Sequence, residues 1–247
     1  MSAIRNIKVF LRYKGTAYHG FQTQINAVAI QDIIEERLSS MVSAPVRING
    51  CSRTDSGVHA NLYCFSAEIE HSIPCENIVR GMNSILPPDI ALISCEDAPA
   101  DFHARYSCKG KEYLYMIDNS RQRNPFLCDT ALHYPYPLDE VFLNAAAQHF
   151  VGTHDFRSFC GTNNMKENCV RTIEYFSVAR ENDIVKMLVK GDGFLYNMVR
   201  IMVGTLIFVN EGKFSADDIP AIIEARDRRR AGKTAAACGL YLNRIFY

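Results

Sequence analysis

The 247-residue sequence predicts an α+β fold: two similar halves with largely antiparallel sheets side by side, helices on the outer face and a central cleft. Three observations predict it. The order strand, helix, strand, strand, helix can be read twice along the chain. The close strand pairs of each half are joined by loops too short for a crossover helix, so they pair antiparallel. No Gly/Ser-rich or Pro-rich linker divides the chain, and the nearest candidate, residues 121–137, reads as an ordered loop.

In the first half, Ile7, Val9, Leu11 and Tyr13 alternate with Lys8, Phe10 and Arg12, the period of a strand. A polar loop with two glycines, residues 14–22, follows. Ile30, Ile33, Ile34, Leu38 and Met41 then recur at helical spacing. Strands are predicted near 46–51 and 62–70. A short helix near 76–86 stops at Pro87-Pro88, which cannot extend it. In the second half, residues 111–118 alternate, with Tyr113, Tyr115 and Ile117 on one face. A helix spans about 139–150, and strands follow near 172–179 and 184–190. One helix carries Leu195, Met198, Val199, Met202, Leu206 and Val209 on a stripe. Ser215 and Asp218 have capping spacing and open a last helix to about Ala225. The expected division is 1–105 and 106–247, the two parts forming one functional unit.

Composition narrows the function classes. Hydrophobic residues make up 48% and charged residues 22%, ordinary values for a chain with a packed core. The 27 basic and 27 acidic residues cancel, so a partner that is a polyanion requires the cations to be gathered on one face. Arg105, Lys109 and Lys111, then Arg121 and Arg123, then Arg226, Arg228, Arg229, Arg230 and Lys233 form such clusters. No apolar run reaches the roughly 18 residues of a membrane span, and the N-terminus has no signal-peptide core. The nine cysteines include no CxxC pair, which points to reduced thiols in a cytoplasmic protein. There is neither a phosphate-binding glycine loop nor a metal-ligand cluster, so no cofactor and no metal are expected.

The candidate for chemistry is Asp55, in the run Ser52-Arg53-Thr54-Asp55-Ser56-Gly57-Val58-His59-Ala60 between two predicted strands. A short loop between rigid elements can hold one carboxylate in fixed geometry. Gly57 suits a positive φ or a closely approaching ligand. On these residues alone, an Asp before Ser-Gly is equally a turn former. The remaining candidates also have ordinary readings: Tyr113 as a core aromatic, Arg200 as a helix-surface cation, Arg53 as a partner of a surface carboxylate and His59 as a fixer of its loop.

The run 53–60 resembles the R-T-D-x-G-V-H-A signature of the TruA family of tRNA pseudouridine synthases. Further stretches are similar to that family in the same order: residues 15–24, Asp101-Phe102-His103-Ala104-Arg105, residues 111–115, 152–159, 193–204, Ala231-Gly232 and residues 239–242. The resemblance implies the pseudouridine synthase fold with an RNA-binding cleft, and isomerisation of uridine to pseudouridine at tRNA positions 38 to 40. It implies Asp55 as the catalytic carboxylate, either adding to the nucleoside or taking a proton from the sugar. Arg200 would keep Asp55 ionised. Tyr113 would stack on the flipped uracil, and Leu195 would wall the pocket. Arg53, Gly57, His59 and Arg105 would face the RNA. The implied partners are tRNA and a second copy of the chain, with no membrane.

Departures fall at Ser52, where the family usually has Gly, at Tyr196-Asn197 before Met198, and in the insert 161–169. They bear on substrate preference more than on chemistry. Two rivals stand beside this reading: a non-catalytic RNA-binding relative, and the same chemistry directed at ribosomal RNA.

Overall fold

The computed structural model describes residues 4–161 and 167–247, so the middle of the insert 161–169 lies outside the described residues. The chain forms two compact units, Met1–Lys109 with Leu242–Tyr247, and Gly110–Tyr241. Each contributes largely antiparallel strands with helices packed on them, the α+β class that the sequence predicts.

The first unit is built around β1 (Arg5–Tyr13). Its inward residues Ile7, Val9, Leu11 and Tyr13 are 0–4% exposed, as the alternation requires. Helix α1 (Ile30–Val42) buries Ile30, Ile34, Leu38 and Val42, one stripe at four-residue spacing. The Asp32 carboxylate accepts from the Ala29 N–H at its start (3.2 Å). β2 (Ile48–Gly50) pairs with β3 (His59–Ile69), and β3 pairs with β1. Buried Glu35 ties α1 to this edge, accepting from the Ile48 N–H (3.0 Å) and from Arg47 (2.6 Å). α2 (Cys75–Ile85) packs on β4 (Ile90–Ala98), which pairs with the other edge of β1.

Two boundaries differ from expectation. β2 is shorter than 46–51, because the Val46 N–H turns to the Ser39 hydroxyl instead of a strand (2.9 Å). β3 begins at His59 rather than 62, where Tyr13 pairs with Ala60, so the end of the Asp55 run is already sheet. β4 was not foreseen. Only Ile90 and Leu92 are buried on it, residues 93–97 are open to solvent to varying degrees, and a bulge opposite Phe10/Leu11 breaks the alternation.

The second unit contains β5 (Gly110–Asp118), β6 (Leu132–His133), α3 (Glu140–Ala147), β7 (Gly152–Asp155), β8 (Val170–Glu181), β9 (Ile184–Gly191), α4 (Met198–Asn210) and α5 (Asp218–Glu224). Its sheet runs β5-β9-β8-β7, antiparallel throughout, with β6 parallel to β5. Asp139 caps α3 by accepting from the Phe142 N–H (2.9 Å). α4 is buried over most of its length. Leu195 does not belong to it: the chain enters the helix through Asn197 at φ 61°, so Leu195 sits in the preceding turn. Ser215 and Asp218 do pair, the Ser215 N–H donating to Asp218 (2.8 Å), but as a turn ahead of α5. A last strand, β10 (Leu240–Phe246), leads back to the first unit. There the Lys109 N–H donates to the Phe246 carbonyl and the Tyr247 hydroxyl to the Ala104 carbonyl, both 2.8 Å.

Asp118 ends β5 and organises the loop that follows. It accepts from the Ser120 N–H (3.2 Å), the Ser120 hydroxyl (2.5 Å) and the Asn124 N–H (3.3 Å). Burial works to raise this carboxyl, but those donors and the nearby His133 outweigh it and hold it below the usual range. A depressed carboxyl contributes stability that is complete above its unfolded value, about 3.9, and is lost as pH falls through the folded value. Asp118→Asn is therefore expected to be less stable than wild type at neutral pH, with the gap closing in acid. Urea midpoints measured across that range check this, and a gap independent of pH would remove the charge from the account.

Candidate active site

The Asp55 loop, residues 51–58, is fixed by backbone and side-chain bonds at nearly every residue. The Cys51 N–H donates to the Cys64 carbonyl (2.9 Å), starting the loop on β3. The Thr54 carbonyl accepts from the Phe21 N–H (3.3 Å), and the Gly57 N–H donates to the Tyr18 carbonyl (3.3 Å). The Val58 N–H closes a turn onto the Asp55 carbonyl (3.1 Å). Gly57 takes φ +77° in that turn, which a side chain would strain. The segment 15–21, the glycine-rich loop after β1, is thus the other wall of the Asp55 loop. Gly15 makes the fit possible, since a Cβ on it would stand 1.9 Å from the Val58 carbonyl oxygen.

Under the loop lies an aromatic base that the sequence did not single out. Phe21 stacks on Tyr63 (centroids 4.0 Å), and Tyr13 leans on both. The hydroxyls face the loop: Tyr63 bonds the Ser52 carbonyl, and Tyr13 pairs with the Thr54 hydroxyl (2.9 Å). The signal was present in the three aromatics and Thr54, but it is tertiary and leaves no periodicity. Tyr13→Phe and Thr54→Val are each expected to cost about 1 kcal/mol. The double variant should cost less than the two together; simple additivity in urea unfolding would show that this bond does not anchor the loop.

The first-unit candidates divide as follows. Arg53 is exposed and Asp55 half-buried, two residues apart on one loop. His59 is 1% exposed beneath it, its Nδ1 accepting from the Gly15 N–H (2.9 Å), which fixes the proton on Nε2 when the ring is neutral. Arg105 is not brought to the loop. Its neighbour Ala104 donates to the Ser66 hydroxyl (3.2 Å), and Ser66 lies seven residues along β3 from His59, about 23 Å of strand. Exposed Arg105 instead lies over the Tyr106 ring (5.9 Å).

In the second unit, Tyr113 is buried on β5 opposite Val189 and meets Phe194 edge to face (5.0 Å). Buried Leu195 follows Phe194 in the turn before α4, and Arg200 lies in that helix's first turn. A cation there opposes the helix macrodipole, by about 0.3–1 kcal/mol. Carbonyl acceptors hold it in place: Arg200 Nε donates to the Ala235 carbonyl (2.7 Å) and Nη1 to Asn197 Oδ1 (2.9 Å). Asn197, one of the departures from the family pattern, thus both starts the helix and orients the guanidinium. A guanidinium set against a helix N-terminus suits an anion. Tyr115, on the same face of β5 as Tyr113, is tied away by its hydroxyl to the Ala236 carbonyl (2.8 Å).

The basic run 226–233 is partly neutralised within the unit. Arg226 faces Asp155 (3.4 Å), Arg229 pairs with Asp227 (2.8 Å), and Arg228 donates to Thr234 (3.1 Å). The Asp227 carboxyl is held down at about 2 by its bonds to Arg229. Among the described residues, no three His, Cys, Asp or Glu side chains group as metal ligands, and no helix is long and apolar enough to cross a membrane.

Comparison with known proteins gives the same grouping. The sequence profile of a family described as tRNA pseudouridine synthase matches residues 10–107 and 146–247. The chain is 45% identical over 244 residues to tRNA pseudouridine synthase A of Acetivibrio thermocellus, covering 99% of this chain and 100% of that one. It is 42% identical over 245 residues to the protein of that name from Ruminiclostridium cellulolyticum, again covering 99% and 100%. The Exiguobacterium sibiricum protein is 41% identical over 244 residues, 99% of this chain and 97% of its own. Among solved structures, a Cbf5-Nop10-Gar1 complex superposes at a TM-score of 0.38 with 13% identity, over 81% of this chain and 53% of that one, too loose a likeness to argue from. With the Asp55 run inside a profile match that spans most of the chain, and full-length relatives above 40% identity, this chain belongs to the TruA family of tRNA pseudouridine synthases.

Proposed function

We propose that the protein isomerises uridine to pseudouridine in tRNA, at positions 38 to 40 of the anticodon stem-loop, with Asp55 as the catalytic carboxylate. The observation that carries this reading is the Asp55 loop itself: a half-buried carboxylate on a loop bonded at Ser52, Thr54, Ser56 and Gly57 to a rigid aromatic base and to the 15–21 segment. Such a carboxylate is held ready for one geometry. The full-length relatives named tRNA pseudouridine synthase A support the substrate class.

The reaction breaks the bond from the anomeric carbon to a ring nitrogen and forms one to a ring carbon. The carbon-bound proton leaves, and the freed nitrogen takes one up. In this reading ionised Asp55 either adds to the nucleoside or abstracts a sugar proton, and Arg200 supplies the positive charge that keeps it ionised. Tyr113 offers its ring to the extruded uracil and Leu195 an apolar wall. Arg53 occupies the space left by the flipped nucleotide, and His59 and Gly57 hold the loop that meets the RNA. Arg105, beside the far end of β3, contacts backbone phosphate. Residues 1–105 and 106–247 act as one catalytic unit, in a cytoplasmic homodimer whose two copies share a tRNA.

Sequencing-based mapping of pseudouridine in a deletion strain tests this. Loss confined to tRNA positions 38 to 40, restored by the purified protein on transcripts, is the expected result. Loss from ribosomal RNA alone would redirect the chemistry. Unchanged maps together with tight tRNA binding would leave a binding protein.

A further inference from the structure

We propose that Cys75 and Cys95 form a reversible disulfide, a redox modification site on the outer edge of the first unit, separate from the Asp55 loop. The geometry starts from two registers. On β4, Cys95 pairs with Val9 and Asp97 with Ile7, so Cys95 lies on the face that Val9 and Ile7 bury under the helices. α2 runs along β4 and is pinned at its far end by Asn83, whose side chain accepts from the Leu92 N–H (2.7 Å) and donates to the Leu92 carbonyl (2.9 Å).

From Asn83 back to Cys75 is eight helical residues, about 12 Å. From Leu92 on to Cys95 is three strand residues, about 10 Å. The two paths end together, which sets the first turn of α2 beside Cys95 on the strand, and Cys75 is one of the neighbouring groups that bear on the Cys95 thiol. Arg5 clamps the same place from the flanks, donating to Asp97 (3.0 Å), two residues past Cys95, and to the Ile73 carbonyl, two residues before Cys75. Both cysteines are half-buried, within reach of a small oxidant, whereas Cys51, Cys64, Cys160 and Cys169 are buried.

The oxidant is a low-molecular-weight disulfide of the glutathione class. The Cys75 thiolate attacks one of its sulfurs, forming a mixed disulfide and expelling one thiolate. Cys95 loses its proton and attacks the Cys75 sulfur, expelling the second. Two protein thiols are oxidised and one small disulfide is reduced to two thiols. Burial pushes the Cys95 thiol up, which suits Cys95 to the resolving step, once the mixed disulfide has set its target sulfur alongside. The bond would staple the first turn of α2 to the edge strand and close the chain between residues 75 and 95.

The test uses the purified full-length protein, first reduced, then exposed to glutathione disulfide, blocked with N-ethylmaleimide, digested and read by mass spectrometry. The expected result is loss of two of the nine thiols, a linked pair of peptides carrying Cys75 and Cys95, and an upward shift of the thermal midpoint that dithiothreitol reverses. Cys75→Ser and Cys95→Ser should each remove the linked peptides and the shift. Recovery of both cysteines as maleimide adducts, as separate glutathione adducts, or linked to other cysteines would overturn the proposal.

Discussion

Asp55→Asn should lower pseudouridine formation by about 10³-fold or more while tRNA affinity and thermal midpoint stay close to wild type. The amide keeps the size and shape of the carboxylate. It cannot carry the charge that a nucleophile at the anomeric carbon or a base toward the sugar needs. The loop's anchors run through the backbone of Thr54, Gly57 and Val58 and the hydroxyls of Thr54 and Ser56, which the substitution leaves in place. The loss should therefore be of turnover rather than of structure. Single-turnover release of the uracil C5 hydrogen, set beside a binding isotherm and a melting curve, separates the two. Turnover retained near the wild-type rate would exclude both chemical roles for this residue.

Gly15→Ala should act on the same reaction from outside the Asp55 run. The added carbon would stand 1.9 Å from the Val58 carbonyl oxygen and 2.7 Å from its carbon, so two backbones have to separate. Neither can swing aside as a side chain would. Gly15 also donates its N–H to His59 and accepts at its carbonyl from the Tyr18 N–H, so the shift spreads to both walls of the loop. Overpacking of this kind costs about 1–3 kcal/mol. A displacement of about 1 Å at a reacting group lowers a rate about 10²-fold. Urea unfolding and the same single-turnover assay should thus both move, although no atom of the proposed chemistry has changed. A variant as stable and as fast as wild type would mean that the 15–21 segment does not position Asp55.

How far the sequence could be read depended on whether a signal was local. β1, α1, α3 and the β8–β9 hairpin follow from periodicity alone, because each buries one regular face. β4 stayed hidden because its exposed edge and bulge erase the alternation. The spacing puts Leu195 on the α4 stripe because an apolar residue in the turn before a helix fits the same spacing as one within it. Only the backbone reversal at Asn197 tells them apart. The Asp55 run was legible as a string, but not what supports it. Tyr13, Phe21 and Tyr63 come from three separated segments and meet only in the folded unit. Gly15 read as a loop former, whereas its position is dictated by a carbonyl more than forty residues away.

Residues 242–247 complete the unit that carries the Asp55 loop, through the bonds of Asn243 to Asn61, Phe246 to Lys109 and Tyr247 to Ala104. During synthesis on the ribosome, that unit has to wait, its sheet lacking these partners, until all of the intervening Gly110–Tyr241 segment has been translated. The order of manufacture thus keeps the carboxylate-bearing half unfinished in every nascent chain, and a transcript cut short late in the message yields a product in which this half is the one left open.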